Sequence, residues 1–176
     1  MVSEIFDSFA WVLLAYRVPH EPSTPRIAIW RKLRKLGVAQ IGDGLVALPA
    51  DSRTTEALEW VADDILEAGG AATLWQAKLT SRAAEREVIA GMVAARAAEY
   101  DGLTVKAEAA LAMTALSHAE SRRKLRLLRR ELRGVQRRDF FPPAERQHAQ
   151  TTLKTLAERV HQARPGADGE AAVSAR

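Results

Sequence analysis

One stretch, residues 11–49, constrains the fold of this chain more than any other: WVLLAYRVPHEPSTPRIAIWRKLRKLGVAQIGDGLVALP. It opens with a six-residue apolar run, short and rich in strand-forming side chains, which predicts a buried strand. Next comes a predicted helix, capped by Ser23 or Thr24, with Pro25 in its first turn and Gly37 at its end. Gly42-Asp43-Gly44 then predicts a hairpin turn between two short strands. The predicted order is strand, helix, strand, strand.

The following segment completes this pattern with a second helix and a fourth strand. Residues 51–68 read as an amphipathic helix that ends at Gly69-Gly70, and residues 71–79 contain β-branched and aromatic residues typical of a strand. The apolar faces of the two helices are predicted to consist of Ile27, Trp30, Leu33 and Leu36, and of Leu58, Val61, Ile65 and Leu66. Residues 10–80 therefore predict a ferredoxin-like βαββαβ domain of the α+β class, with both helices on one face of an antiparallel sheet.

From residue 81 onward the sequence favours helix, because alanine becomes abundant and β-branched residues become rare. We expect helices over residues 82–98, 104–137 and 144–162. Tyr100-Asp101-Gly102 is the expected first break, and residues 140–143, which contain two prolines, are the second. The fold class is thus a ferredoxin-like domain followed by an α-helical extension, residues 81–164, with a long basic helix. Residues 1–9 are expected to be flexible and residues 165–176 disordered.

The composition of the 176 residues argues against several classes of protein. There is no cysteine, which excludes disulfides, thiolate metal sites and a thiol nucleophile. Glu4 and Asp7 stand where an export signal needs positive charge, and no apolar run approaches the length of a membrane span. We also find no Ser/His/Asp set and no glycine-rich phosphate loop. The expectation is a cytoplasmic protein that does not contact membranes, needs no cofactor and is not an enzyme.

The formal charge of +4 conceals a strongly basic segment. Residues 121–138, SRRKLRLLRRELRGVQRR, contain nine Lys or Arg residues and one Glu. At about 100° per residue, the basic face of this helix lies apart from an apolar seam of Leu125, Leu128, Leu132 and Val135. Arginine suits bidentate contacts with phosphate. The predicted nucleic-acid-binding residues are Arg122, Arg123, Arg126, Arg129, Arg130, Arg133 and Arg137.

Three other interpretations of this basic face remain open at the level of sequence. The arginines could pair with the acidic side of the helix at residues 51–68, or dock an acidic protein partner. They could also form a solvated surface with no partner. A protein-interaction module is therefore the alternative to a DNA-binding protein.

A second candidate site comprises Arg17, His20 and Arg26, near the junction of the first strand and first helix. Free backbone N–H groups in the first turn of a helix favour anions, so these side chains could bind a small tetrahedral oxyanion such as chromate. The alternative is that Arg26 pairs with Glu21 and fixes the loop.

Metal binding receives little support. Glu145-x-x-His148 and Glu158-x-x-His161 have the spacing of di-iron helical bundles. Both lie on one predicted helix, about 20 Å apart along its axis, so they cannot share a site. We therefore expect no metal centre.

Several short motifs carry a resemblance to a known family. Pro19-x-Glu21-Pro22-Ser23-x-x-Arg26, Trp30-Arg31-x-Leu33-x-x-Leu36-Gly37, Asp43-Gly44, Leu48-Pro49 and Arg138-Asp139-Phe140-Phe141-Pro142 occur in this order. Together they resemble the N-terminal domain of the ChrB chromate-resistance proteins, distantly akin to the middle domain of PaaX repressors. On this resemblance we expect the domain to stand without the second domain that usually follows in that family and without the winged helix of PaaX-like repressors.

The resemblance implies a transcriptional regulator of chromate resistance that binds DNA and responds to chromate or another oxyanion. We also expect a homodimer, because the edge strands and the apolar seam of the basic helix both offer symmetric surfaces.

Overall fold

The computed structural model describes residues 10–113 and 117–163. The predicted flexible N-terminus and disordered tail lie outside these residues. The chain divides into two compact units between Met92 and Val93, within one helix. In chain order, the described elements are β1 (Trp11–Arg17), α1 (Ser23–Leu36), β2 (Ala39–Gly42), β3 (Leu45–Pro49), α2 (Ser52–Glu67), β4 (Ala71–Ala77), α3 (Arg82–Ala112), α4 (His118–Gln136) and α5 (Glu145–Gln162).

The first unit contains a four-stranded antiparallel sheet in the order β2-β3-β1-β4. The apolar β1 lies between β3 and β4, where Trp11, Val12 and Leu14 are buried. Helix α2 packs against β1, β4 and α1. This order and orientation are those of the ferredoxin-like fold, so the predicted α+β class and βαββαβ arrangement are confirmed.

Two local signals fix the ends of these elements. Gly44 adopts a φ of 73° in the β2–β3 turn, and its carbonyl accepts a hydrogen bond from the backbone N–H of Tyr16 at 2.7 Å. Asp51 caps α2 by accepting a hydrogen bond from the backbone N–H of Thr54 at 2.6 Å, and the Thr54 hydroxyl donates to the carbonyl of Pro49. The bond from Thr54 lowers the pKa of the Asp51 carboxyl.

The predicted apolar face of α1 is wrong in two positions. Ile29 and Leu33 are buried, whereas Ile27 and Trp30 are 45% and 52% exposed. A repeat of three residues drifts by about 60° at each step, so the four predicted positions spread over half the helix circumference. The Arg34 guanidinium lies 4.8 Å from the centre of the exposed Trp30 ring, which is a cation–π contact.

The predicted face of α2 contains one error of the same kind. Leu58, Val61 and Ile65 are buried as expected, but Leu66 is 53% exposed. Since Leu66 is adjacent to the buried Ile65, its side chain points about 100° away around the helix.

The predicted break at Tyr100-Asp101-Gly102 is also wrong, because α3 continues through it to Ala112. Tyr100 and Leu103 are fully buried, and Gly102 is exposed. Packing of the two buried side chains offsets the cost of a helical glycine, about 1 kcal/mol relative to alanine. Although α3 is the longest helix described, neither it nor any other helix in the described ranges has the length and hydropathy of a transmembrane segment.

The second unit packs the C-terminal part of α3 with α4 and α5. Along α3 and α4, Glu99 faces Arg138 and Lys106 faces Glu131, so these helices run antiparallel. The expected single helix over residues 104–137 is therefore wrong. Ser117 caps α4, which begins at His118 as a separate helix. The shared core comprises Tyr100, Leu103, Ala107, Ala110, Leu125, Leu128, Val135, Ala149, Leu153, Leu156 and Val160.

Candidate nucleic-acid interface

The start of α4 is set by a capping box at Ser117 and Glu120. The Ser117 hydroxyl accepts from the Glu120 backbone N–H at 3.3 Å, and the Glu120 carboxylate accepts from the Ser117 backbone N–H at 2.9 Å. A hydrogen bond from the Ser117 hydroxyl lowers the pKa of Glu120. The capping box fixes the residue at which α4 begins. The helical repeat then determines which residues share a face.

The apolar seam of α4 is buried and turns the basic face outward. Leu125, Leu128 and Val135 belong to the shared core of the unit, and Leu132 packs against it. Because the arginines occupy the remaining circumference, burying the seam directs them to solvent. The exposed residues include all seven predicted nucleic-acid-binding arginines: Arg122, Arg123, Arg126, Arg129, Arg130, Arg133 and Arg137.

These arginines are poorly neutralised within their own unit. Six of the seven, all but Arg137, make no ion pair or hydrogen bond with the other described residues of the second unit. Glu131 is the one acidic residue in residues 121–138, and it is ion-paired with Lys106 of α3. The helix therefore presents concentrated positive charge, which attracts polyanions over a distance of about a Debye length.

Arg138 is adjacent to this basic face but has a different role. Its Nη2 donates to Glu99 Oε2 at 2.6 Å, and its Nη1 donates to the carbonyl of Gly134 at 2.8 Å. Arg96, which is buried, donates to the other oxygen of Glu99 at 2.9 Å and to the carbonyl of Arg138 at 3.4 Å. Glu99 of α3 thus bonds to Arg96 on its own helix and to Arg138 just past the end of α4.

Asp139 extends this network toward α5. Its fully buried side chain accepts a hydrogen bond from the Tyr100 hydroxyl at 2.7 Å and a charged bond from Arg146 at 3.3 Å. Burial, followed by the bond to Asp139, raises the pKa of the Tyr100 hydroxyl above its ordinary value. Sequence reasoning identified Arg138 and Asp139 only as part of a family resemblance. The sequence signal for this role was the Arg138-Asp139 pair, which stands directly before Phe-Phe-Pro and between two predicted helices.

The candidate oxyanion residues of the first unit lie around one cavity. Arg17, His20 and Arg26 line a pocket of 960 Å³ together with Trp30 and Asp43. Arg26 Nη1 donates to His20 Nδ1 at 2.9 Å. Since a guanidinium can only donate, Nδ1 is the acceptor and the ring proton is on Nε2.

The alternative prediction for Arg26 was an ion pair with Glu21. Within the described residues, Arg26 and Glu21 form no ion pair, and Arg26 bonds to His20 instead. The predicted residues therefore meet at a concave surface that also contains an exposed tryptophan and one carboxylate.

The two Glu-x-x-His motifs lie on α5, which is the single helix predicted for residues 144–162. His148 Nε2 is 4.0 Å from Glu108 Oε1 of α3, and Glu158 is 4.0 Å from Lys154. Within residues 10–113 and 117–163, no group of three or more His, Asp or Glu side chains is arranged to hold a metal ion.

Comparison with known proteins places these residues in a family. The model of the N-terminal part of Protein ChrB matches residues 26–164. Protein ChrB of Cupriavidus metallidurans is 29% identical over 136 residues, which cover 76% of this chain and 41% of that protein. The chain thus spans less than half the length of this relative. No solved structure matches the chain.

The family match covers all of one candidate site and only part of the other. All seven α4 arginines and Arg26 lie within the family match, whereas Arg17 and His20 precede it. The match includes Arg138 and Asp139, which bond to Glu99 and Tyr100, and it covers well over half of the chain. The predicted resemblance is confirmed, and the chain belongs to the ChrB N-terminal family.

Proposed function

We propose that this chain is a DNA-binding regulator that contacts nucleic-acid phosphates through the exposed arginines of α4. The proposal depends on one observation: six exposed guanidinium groups on one helix have no acidic partner among the described residues of their unit. Arginine forms bidentate contacts with phosphate oxygens, and several such contacts give strong, salt-dependent affinity for nucleic acid. Membership in the ChrB family supports an association with chromate resistance.

The proposal includes a response to an oxyanion such as chromate at the pocket of Arg17, His20 and Arg26. The support is geometric, since the three side chains line one cavity and two of them are already bonded to each other. Oxyanion binding there would change the charge of the first unit. In this proposal the chain acts in the cytoplasm as a binding protein and carries no catalytic function.

A homodimer is also part of the proposal, with β4 as its most suitable surface. This strand pairs only with β1 among the described strands, has seven residues without a charge or proline, and bears the 59% exposed Trp75. Long neutral edges readily pair with another chain.

Sedimentation analysis should find a dimer for the native chain and a monomer for Trp75→Lys. Unchanged assembly in this variant would exclude the β4 edge.

Fluorescence anisotropy tests the regulator proposal. The chain is titrated onto duplex DNA from its own upstream region and onto a random duplex, with and without chromate. We expect tighter binding to the upstream duplex and weaker binding in the presence of chromate. Equal affinity for both duplexes, unaffected by chromate, would contradict regulation by an oxyanion. Absence of binding at low salt would contradict the DNA interface and favour an acidic protein partner for α4.

A further inference from the structure

A cleft between α4 and α5 divides the arginines of the basic face into two sets. Arg122, Arg126 and Arg129, at positions i, i+4 and i+7, line a cleft of 660 Å³, whereas Arg123 and the remaining arginines lie outside its lining. The apolar floor includes Leu125 and Val160, which are buried in the core of the unit. These three cleft arginines therefore border a concave surface between the two helices.

The charges around the cleft are unbalanced. Among the described lining residues, Glu158 supplies the single carboxylate, whereas there are three guanidinium groups and the imidazoles of His118 and His161. Lys154 lies 4.0 Å from that carboxylate and competes for it. A small anion entering the cleft would therefore meet several cationic or neutral donors and one acidic group.

The three cleft arginines have no competing partner among the described residues of their unit. Arg122, Arg126 and Arg129 are exposed and make no ion pair or hydrogen bond there. Their guanidinium groups are therefore available to a ligand in the cleft.

We propose that the α4–α5 cleft is a discrete binding site for a phosphate ester, with Arg122, Arg126 and Arg129 contacting the phosphoryl oxygens. The volume is within the range of small-ligand sites, roughly 300–1,000 Å³. The planar guanidinium matches phosphate geometry bidentately. This inference rests on the proposed nucleic-acid role of α4, and the ester is either a phosphodiester of DNA or a free phosphorylated small molecule.

Isothermal titration calorimetry with inorganic phosphate tests the site on the intact chain. We expect saturable binding that Arg126→Ala weakens by about tenfold or more, because the substitution removes a charge-assisted hydrogen bond to the phosphate. Arg86→Ala, a control at an exposed arginine of α3 that belongs to neither the cleft nor the basic face, should leave phosphate affinity unchanged, and Glu158→Gln should increase it. Circular dichroism checks that each variant is folded. Absence of saturable binding, or equal losses in Arg126→Ala and Arg86→Ala, would overturn the site.

A competition experiment separates the two sources of the ester and the two proposals. If DNA supplies the phosphate, inorganic phosphate will displace a short duplex and Arg126→Ala will weaken duplex binding more than Arg123→Ala. If the ligand is a free ester, phosphate will bind without displacing the duplex. Duplex binding without phosphate binding would overturn the cleft site alone. Phosphate binding without duplex binding would retain the cleft and overturn the DNA proposal.

Discussion

The second unit uses arginine in two contrasting ways within a few residues of each other. On the basic face of α4, the outer face of the unit, exposed side chains such as Arg126 and Arg133 have no acidic partner among the described residues of the unit. In the inner network, Arg96 and Arg138 share the carboxylate of Glu99, and Arg146 bonds to the buried Asp139. Burial and partners, rather than residue type, separate the arginines that hold the fold together from those available to a ligand.

This contrast predicts that substitutions in the two sets have separable effects. A change in the inner network should reduce the free energy of unfolding and affect binding only through folding. A change on the outer face should reduce binding and leave the free energy of unfolding nearly constant.

Asp139→Ala should have the largest effect on stability. The substitution leaves Arg146 and the Tyr100 hydroxyl without their buried acceptor. Removing one partner of a buried pair costs about 3–5 kcal/mol, and the partial exposure of Arg146 puts this case near the lower value. Urea unfolding followed by circular dichroism measures the loss. Asp139→Asn is the control, since it retains an acceptor for Tyr100 and should lose less. Equal stability of Asp139→Ala and the native chain would contradict the structural role of the network.

Arg138→Lys should destabilise the unit by about 1–2 kcal/mol, although it conserves the charge. One ammonium group cannot reproduce the separate bonds from the two guanidinium nitrogens to Glu99 and Gly134. The same urea experiment measures this loss. The neighbouring Arg130→Lys provides the comparison, because Arg130 is exposed. Equal stabilities of the two variants would remove the distinction between the inner and outer arginines.

Tyr100 links the inner network to pH. Burial and Asp139 raise the pKa of its hydroxyl, whereas the unfolded chain has the ordinary value of about 10. The folded state therefore retains the proton, and this contribution to stability is complete below pH ~10 and lost as the pH rises above it.

The sequence has two tyrosines, so Tyr16→Phe leaves Tyr100 as a single reporter. Tyrosinate absorbance of this variant should stay low about one pH unit above the ordinary pKa of ~10 and rise only as the unit unfolds. Ionisation near pH 10 in the folded chain would contradict burial of the hydroxyl.

Substitution of the outer arginines should have the smallest effect on stability. Arg123→Ala combined with Arg130→Ala removes two exposed side chains that have no described partner in their unit. Exposed substitutions of this kind usually change the free energy of unfolding by no more than about 0.5 kcal/mol. Urea unfolding measures it. A loss comparable to that of Arg138→Lys would mean that the outer face is also structural.

The sequence was sufficient for the ferredoxin-like arrangement because its signals are local. The hairpin glycines, Gly37 at the end of α1 and Asp51 at the start of α2 act within a few residues, and the alternation of strand and helix follows from them. The seven exposed arginines were also predictable, since a buried apolar seam at helical spacing determines the opposite face.

The errors arise where tertiary packing decides the structure. Tyr100-Asp101-Gly102 resembles a helix break in sequence, but Tyr100 contacts Asp139, far away in the chain, and the helix continues. The network of Glu99, Arg138 and Asp139 likewise joins residues separated by about forty positions, which no periodicity reveals. The α4–α5 cleft depends on which side of α5 faces α4, and the sequence did not establish this.

The most direct test of the central claim is the salt dependence of duplex DNA affinity. Each phosphate contact contributes about −0.9 to the slope of log affinity against log salt concentration. The variant with alanine at Arg122, Arg126, Arg129 and Arg133 should have a slope shallower by about 3–4 and weaker binding at low salt. A charge-matched variant of the first unit, with alanine at Arg17, Arg26, Arg31 and Lys35, should retain the native slope. Equal changes of slope in both variants, or a native slope in the α4 variant, would contradict a nucleic-acid interface on α4.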